Sequence, residues 1–259
     1  IKELQELALE KQLKIAVNFI YRSIPLFQQL AHLIHNGVLG HPQFVKVDWL
    51  LGIHRKNYQQ SDLNYNLRSD NSIIDYMGIH VFDLLHWLMG PIFLLSAVNT
   101  NVTSQDHNCT DYDFTKSANI VLLQGKLQFS SNYTVPIQIN LSSILSYGRG
   151  FWIEFYGTQS ALIIGNENQN DFINDFGLWM APPGQPLRRL PIDQNLSLDL
   201  RGDNHKVAAT SKLQTWWARS ILCGQSITPG LMEAYWGKVV CELAKIHCRD
   251  FYSMNDGIS

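Results

Sequence analysis

The chain has 259 residues, 46% hydrophobic and 16% charged, a composition that supports a substantial core, as one large domain or one and a half, and excludes a disordered chain. Its formal charge of −2, with lysines and arginines scattered, leaves no broad basic field for nucleic acid. Apolar runs such as IVLL are too short for a membrane span, and no secretory signal pattern appears, so the expected location is cytoplasmic.

IKELQELALEKQ opens the chain as a helix already in progress, with leucines as its apolar stripe and no N-cap ahead. The expectation is that further chain precedes it in the natural protein. LKIAVNF (13–19) reads as a short buried strand, the tail of an α/β unit. IPLFQQLAHLIHNG then places Leu26, Phe27, Leu30, Leu33 and Ile34 at helical spacing, with Pro25 in the first turn and Gly37 as the stop. QFVKVDWLLGI (43–53) alternates as a strand does, and residues 54–72 form a polar, aperiodic loop. HVFDLLHWLMG is a helix ended by Gly90-Pro91. Four β-like runs follow, at 94–103, 116–124, 126–134 and 138–146, with Gly125 and Pro136 read as turns of an antiparallel meander. Residues 151–157 and 160–165 read as a hairpin, 166–203 as a loop, and 212–224 and 230–250 as closing helices. Trp216, Trp217 and Trp236, at helical spacings, are expected in the core. The expected fold class is α+β: an α/β remnant at the start, then a mostly antiparallel open sheet flanked by helices.

Four stretches, in this order, carry a resemblance. AVNF runs into YRSIP across Asn18 to Pro25, and IHNGVLGHPQFVKVDW spans 34–49. Gly78, His80 and Asp83 form G-x-H-x-x-D before the helix that ends WLMG, and FYGTQSALII spans 155–164. Together they resemble the C-terminal two-thirds of the glucose–fructose oxidoreductase / inositol dehydrogenase (Gfo/Idh/MocA) family. The resemblance implies that residues 1–24 are the tail of a dinucleotide-binding (Rossmann) domain and 25–259 a substrate-binding and oligomerisation domain. It implies a nicotinamide cofactor, NAD or NADP, whose main binding site lies outside this chain, since no GxGxxG is present. It also implies a sugar, amino-sugar or polyol substrate, and a homo-dimer or tetramer through the strands between 94 and 146.

Oxidising such a hydroxyl by hydride transfer needs a base for its proton, and histidine serves near neutral pH. In the resembled family an Asp-x-x-x-His pair and an upstream lysine do this. His80 matches the histidine, and Asp83, three residues on, is a helical neighbour able to orient it or meet substrate. Four residues before His80 stands Tyr76, while Asp75 is five before. Either a one-residue bulge at Tyr76 or Met77 turns Asp75 toward His80, or Tyr76 takes the position. Asp75 as a helix cap and His80 as a satisfied helix-start histidine is the structural reading of the same residues. Asn71-Ser72 stands where the family commonly has Gly-Gly.

Asn18 and Arg22, at a strand's carboxyl end, are read as contacts to nicotinamide or substrate, or as interdomain hydrogen bonds. Arg68 could hold substrate hydroxyls, and Tyr147 and Arg149 could line a sugar cleft, with Trp152 packing on the sheet. Cys109, Cys223, Cys241 and Cys248 have no metal-ligand spacing and read as reduced thiols, and no metal is expected. The competing function class is a non-catalytic sugar-binding or assembly domain without its cofactor half. A glycosidase-like use of Asp75 and Asp83 has no fixed carboxylate separation behind it.

Overall fold

The computed structural model describes residues 1–51, 73–100, 120–145, 148–166, 175–196 and 205–255. Helix α1 (Lys2–Glu10) leads through an extended stretch and a 3₁₀ turn (Ile20–Ser23) to α2 (Pro25–His35) and strand β1 (Pro42–Leu50). A single π-turn (Ile74–Gly78) runs into α3 (Ile79–Met89). Strands β2 (Ile92–Thr100), β3 (Ile120–Ser130), β4 (Tyr133–Ser142), β5 (Gly150–Gly157), β6 (Ala161–Asn166), β7 (Phe176–Ala181) and β8 (Arg188–Arg189) follow. Helices α4 (His205–Leu222) and α5 (Leu231–Asn255) close the described chain.

All eight strands join one sheet in the order β2-β3-β4-β1-β5-β6-β7-β8. Every pairing is antiparallel except β1 with β4, so the sheet is mostly antiparallel and open, as the strand pattern predicts. Strand alternation sorts the side chains. Val45, Val47 and Trp49, Val121, Leu123 and Leu127, Val135, Ile137, Ile139 and Leu141, and Phe151, Ile153 and Phe155 form the buried face. On that face α2 brings Phe27 against Phe151 and Phe176, and α3 and α5 continue the same core with Leu84, Leu85, Leu88, Val240 and Ala244.

Four expectations are corrected. LKIAVNF forms no ladder; Val17 instead donates its N–H to the Pro229 carbonyl at 3.0 Å, because among the described residues no strand lies alongside it. Gly125 is not a turn. It lies inside one eleven-residue strand, β3, opposite a bulge between Leu94 and Ser96, where a Cβ would fall 2.4 Å from the Phe93 carbonyl oxygen. Pro136 also sits within a strand, and the β1–β4 ladder begins only at Ile137, so its missing N–H interrupts no bond to β1. Trp217 and Trp236 are exposed, not core: Trp217 Nε1 donates to the Lys14 carbonyl, and Trp236 stacks on His86.

The sheet's other face carries no helix among the described residues. Phe93, Leu95, Val98 and Leu122 are exposed there. Farther along, Trp152 lies over Gly165 and stacks on Trp179 at 5.4 Å, with Arg149 over Trp152 at 4.4 Å and Arg189 over Trp179 at 5.7 Å. A Cβ at residue 165 would sit 2.1 Å from the Trp152 ring. Gly165→Val is therefore expected to lift that ring and remove the far-ultraviolet exciton signal of the stacked indoles. The accompanying loss in urea-melt stability should be about 1–2 kcal/mol.

Candidate active site

His80 is the second residue of α3, and three rings from two parts of the chain surround it. Phe19 closes the extended stretch, Tyr21 sits in the 3₁₀ turn, and Trp49 lies near the end of β1 on the buried face. Their centroids stand 6.0, 5.7 and 6.5 Å from the imidazole. Trp49 is in turn stacked on Phe151 at 4.4 Å, which ties the pocket wall to the sheet. The His80 Nδ1 atom is buried without a hydrogen-bond partner among the described residues, while part of the residue stays accessible. Burial in this aromatic setting pushes the His80 pKa down to about 4, so the ring is neutral at neutral pH.

Asp83 does not turn to His80. Its carboxylate takes a bidentate pair from Arg22, Nε at 2.9 Å and Nη2 at 2.6 Å, with both side chains buried. Arg22 also lies 3.4 Å from Thr228 Oγ1, 3.9 Å from Glu233 and 5.6 Å from the Trp87 ring. Burial raises the Asp83 pKa to about 6 against the pull of the guanidinium. Arg22 is thus committed inside the fold, tying the segment before α2 to α3 and to the start of α5.

The π-turn supplies the extra residue that the offset between Asp75 and Tyr76 calls for. The Asp75 carboxylate, however, meets Lys238 Nζ at 2.6 Å and Lys245 Nζ at 2.8 Å, two lysines of α5 that also share Glu242. Burial alone would raise the Asp75 pKa, but the two lysines outweigh it and hold the group below its usual value. Tyr76 stands at the surface of the turn. Asn18 is exposed one residue before Phe19. Arg149, paired with Glu154 at 3.1 Å and stacked on Trp152, lies on the face of the sheet away from Trp49 and His80. Arg68, Tyr147 and the Asn71-Ser72 pair lie outside the described residues. No group of three potential metal ligands occurs among the described residues.

Sequence reasoning missed the box of Phe19, Tyr21 and Trp49. A signal existed: Tyr21 adjoins the singled-out Arg22, and alternation along β1 puts Trp49 on the apolar face. It also missed Lys238 and Lys245, whose pairing with Asp75 spans the whole domain.

The sequence model of the GFO/IDH/MocA C-terminal domain matches residues 27–163, more than half of the chain. The chain belongs to the GFO/IDH/MocA family. Among its relatives is an uncharacterized oxidoreductase, sll0816, of Synechocystis sp., 27% identical over 245 residues, which cover 94% of this chain and 65% of the relative. Similar solved structures include an inositol dehydrogenase homolog from Azotobacter vinelandii complexed with NADH and myo-inositol (TM-score 0.71, 17% identity, 96% of this chain, 66% of that one). A levoglucosan dehydrogenase complexed with NADH and levoglucosan is similar too (TM-score 0.72, 15% identity, 96% of this chain, 68% of that one). So is an oxidoreductase from Agrobacterium radiobacter in complex with NAD+, L-tartaric acid and magnesium (TM-score 0.71, 15% identity, 96% and 66%). At these identities the likeness of the solved structures concerns the fold. The chain spans 65% of the length of sll0816 and 66% of two of the structures. Its described helices include none long and apolar enough to cross a membrane.

Proposed function

We propose that this chain is the substrate-binding part of an NAD- or NADP-dependent oxidoreductase acting on a hydroxyl-bearing carbon of a sugar, amino-sugar or polyol. The observation that carries the reading is His80, a neutral imidazole with an unpartnered buried nitrogen in an aromatic box at the end of β1. When bound, the nicotinamide supplies the site for the hydride, and the residues described above handle the proton and the fit. His80 takes the hydroxyl proton in oxidation and returns it in reduction. Phe19, Tyr21 and Trp49 exclude water and offer apolar faces to the carbon-bearing side of a sugar ring. Exposed Asn18 is the described residue available to the nicotinamide, since Arg22 is held by Asp83. In this reading residues 1–24 belong to the dinucleotide-binding half and 25–259 to the substrate half, with a lysine upstream of Ile1 completing the proton chemistry. The uncovered sheet face is the surface through which the cytoplasmic enzyme would form a homo-dimer or tetramer.

The test offers NAD+ or NADP+ and a panel of polyols, aldoses and amino sugars to protein carrying this chain together with a dinucleotide-binding half, and follows reduced nicotinamide. Reduction that depends on one class of hydroxyl compound is the expected result; no reduction with any of them overturns the enzymatic reading. One observation favours the non-catalytic alternative: Asp75 is occupied by Lys238 and Lys245 and not by His80. That alternative predicts binding of a panel member to the chain with no reduction.

A further inference from the structure

The π-turn at Ile74–Gly78 leads directly into α3, and α5 packs against it with one face. The turn closes with the Ile79 N–H donating to the Ile74 carbonyl, five residues back. The Cys241 thiol lies 3.5 Å from the same carbonyl; burial pushes it up to about 12, so it keeps its proton and donates. Lys238 stands three residues before Cys241 and Lys245 four after, a helical spacing that puts all three on one side of α5. From that side Lys238 Nζ reaches Asp75 Oδ1 at 2.6 Å and Lys245 Nζ reaches Oδ2 at 2.8 Å, one lysine to each carboxylate oxygen. Glu242 lies 2.8 and 2.9 Å from the same two lysines and holds their charged ends together. At the next step along the chain α5 also comes close. A Cβ at Gly237 would fall 3.2 Å from Ile79 Cγ1, on the residue before His80.

We infer that Asp75 is a positioning residue for His80: with Lys238 and Lys245 it fixes the turn from which α3 carries the imidazole into its box of rings. This rests on the proton-accepting role of His80 proposed above. Single π-turns are rare inside helices and recur at functional sites. The two lysines come from an element far along the chain, so their pairs with Asp75 fix the turn against the domain and not only against its own helix. Exposed ion pairs add little stability, but the Asp75 side chain is only 11% exposed and both of its oxygens are taken, so these pairs set a geometry. The lysines also hold the carboxylate ionised, which suits a group that anchors and does not exchange a proton. His80 follows Gly78 by two residues, so a change in the turn displaces it before the rest of α3. A base must stand within hydrogen-bond reach of the proton it takes, and a misplacement of about 1 Å can cost about 10²-fold in rate.

The experiment reads His80 without turnover. Its ring signals are followed against pH by ¹⁵N NMR of the chain and are identified by their loss in His80→Asn. In Asp75→Ala the turn loosens, water reaches the ring, and the His80 pKa should rise from about 4 toward 6.5. Lys238→Met/Lys245→Met should raise it as well, and adding Asp75→Ala to that pair should change nothing further. Charge alone predicts opposite signs, since removing a carboxylate lowers a histidine pKa and removing lysines raises it. A fall in Asp75→Ala therefore overturns the inference in favour of a direct effect of the carboxylate on His80. An unmoved His80 in a variant whose urea midpoint has dropped overturns it too, and leaves the lysine clamp a structural device. Cys241→Ala changes no charge and should shift His80 in the same direction; it takes over the test if Asp75→Ala does not fold. In protein carrying both halves, kcat of Asp75→Ala should fall about 10²-fold with little change in KM. No reduction with any compound defeats the enzymatic reading alone, because the His80 titration still decides the role of Asp75.

Discussion

Replacing His80 with asparagine should lower turnover by about 10²–10⁴-fold in protein that carries both halves, with a much smaller change in KM. Asparagine keeps a polar group of similar reach in the box but cannot take a proton, so it separates proton transfer from binding. The acid side of the pH profile checks the mechanism further. Burial holds His80 at about 4, below the 6.5 of a free imidazole. Oxidation needs the unprotonated ring, so activity should persist through the weakly acid range and be lost only as pH falls toward about 4. The ring then becomes protonated and the base is gone. An acid limb in kcat/KM near the ordinary imidazole value would mean that the ring is solvated in the working enzyme. The same shift has a sign for stability. A histidine depressed in the fold contributes stability that is full above its unfolded pKa and is lost as pH falls through the window from 6.5 to about 4. The low value also makes His80 a weak base.

The elements most legible in the sequence are those whose own periodicity decides their fate. Leu26, Phe27, Leu30 and Ile34 make α2, and the apolar run before Gly90-Pro91 makes α3, with boundaries close to those expected. The β5–β6 hairpin follows from alternation around Gly157-Thr158-Gln159. Where pairing decides, the chain was less readable. LKIAVNF has the composition of a strand, but a strand needs a neighbour, and among the described residues it has none. Phe176–Ala181 was hidden inside a Pro- and Asn-rich stretch, yet it pairs along the full length of β6. The candidate site divides the same way. His80 was singled out from G-x-H-x-x-D, and the misfit at Asp75 left open a bulge turning Asp75 to His80 or Tyr76 in its place; the chain has an irregular turn at Ile74–Gly78, but Asp75 pairs with Lys238 and Lys245. The destination of Asp75 was not legible, because Lys238 and Lys245 lie on a helix whose approach is set by the packing of the whole domain. Asp83 belonged to the same class of misreading: helical spacing puts it beside His80, but a buried guanidinium outcompetes an imidazole for a carboxylate.

Removing Arg22 should produce the largest loss of stability. Among the described residues, Arg22→Met deletes the cation paired with the buried Asp83 carboxylate and strands that charge in the fold, a change that costs about 3–5 kcal/mol. Glu233 loses little in this variant, since Thr228 Oγ1 and the Gly230 N–H still donate to it at 2.6 and 2.8 Å. The pH dependence identifies the cause. Burial already raises Asp83 to about 6 with the guanidinium in place, and without it the carboxyl must rise further. A carboxyl raised in the fold contributes stability that is present below its unfolded pKa and is lost as pH rises through the folded one. The deficit of Arg22→Met should therefore be smaller near about pH 5 than near about pH 8 in urea melts, widening as Asp83 is forced to ionise. A deficit independent of pH would trace the loss to packing against Trp87 instead of to the stranded charge. The double variant Arg22→Met/Asp83→Leu removes both charges and fills much of the volume. It should recover to within about 1 kcal/mol of the natural chain, because a buried ion pair gives little net stability over apolar packing. If that double variant folds with its stability restored but His80 has lost its depressed titration, the pair's function lies in geometry. Arg22 and Asp83 would then serve to hold Tyr21, on the 3₁₀ turn, at its distance from His80, on α3, which is the contact that shapes the site.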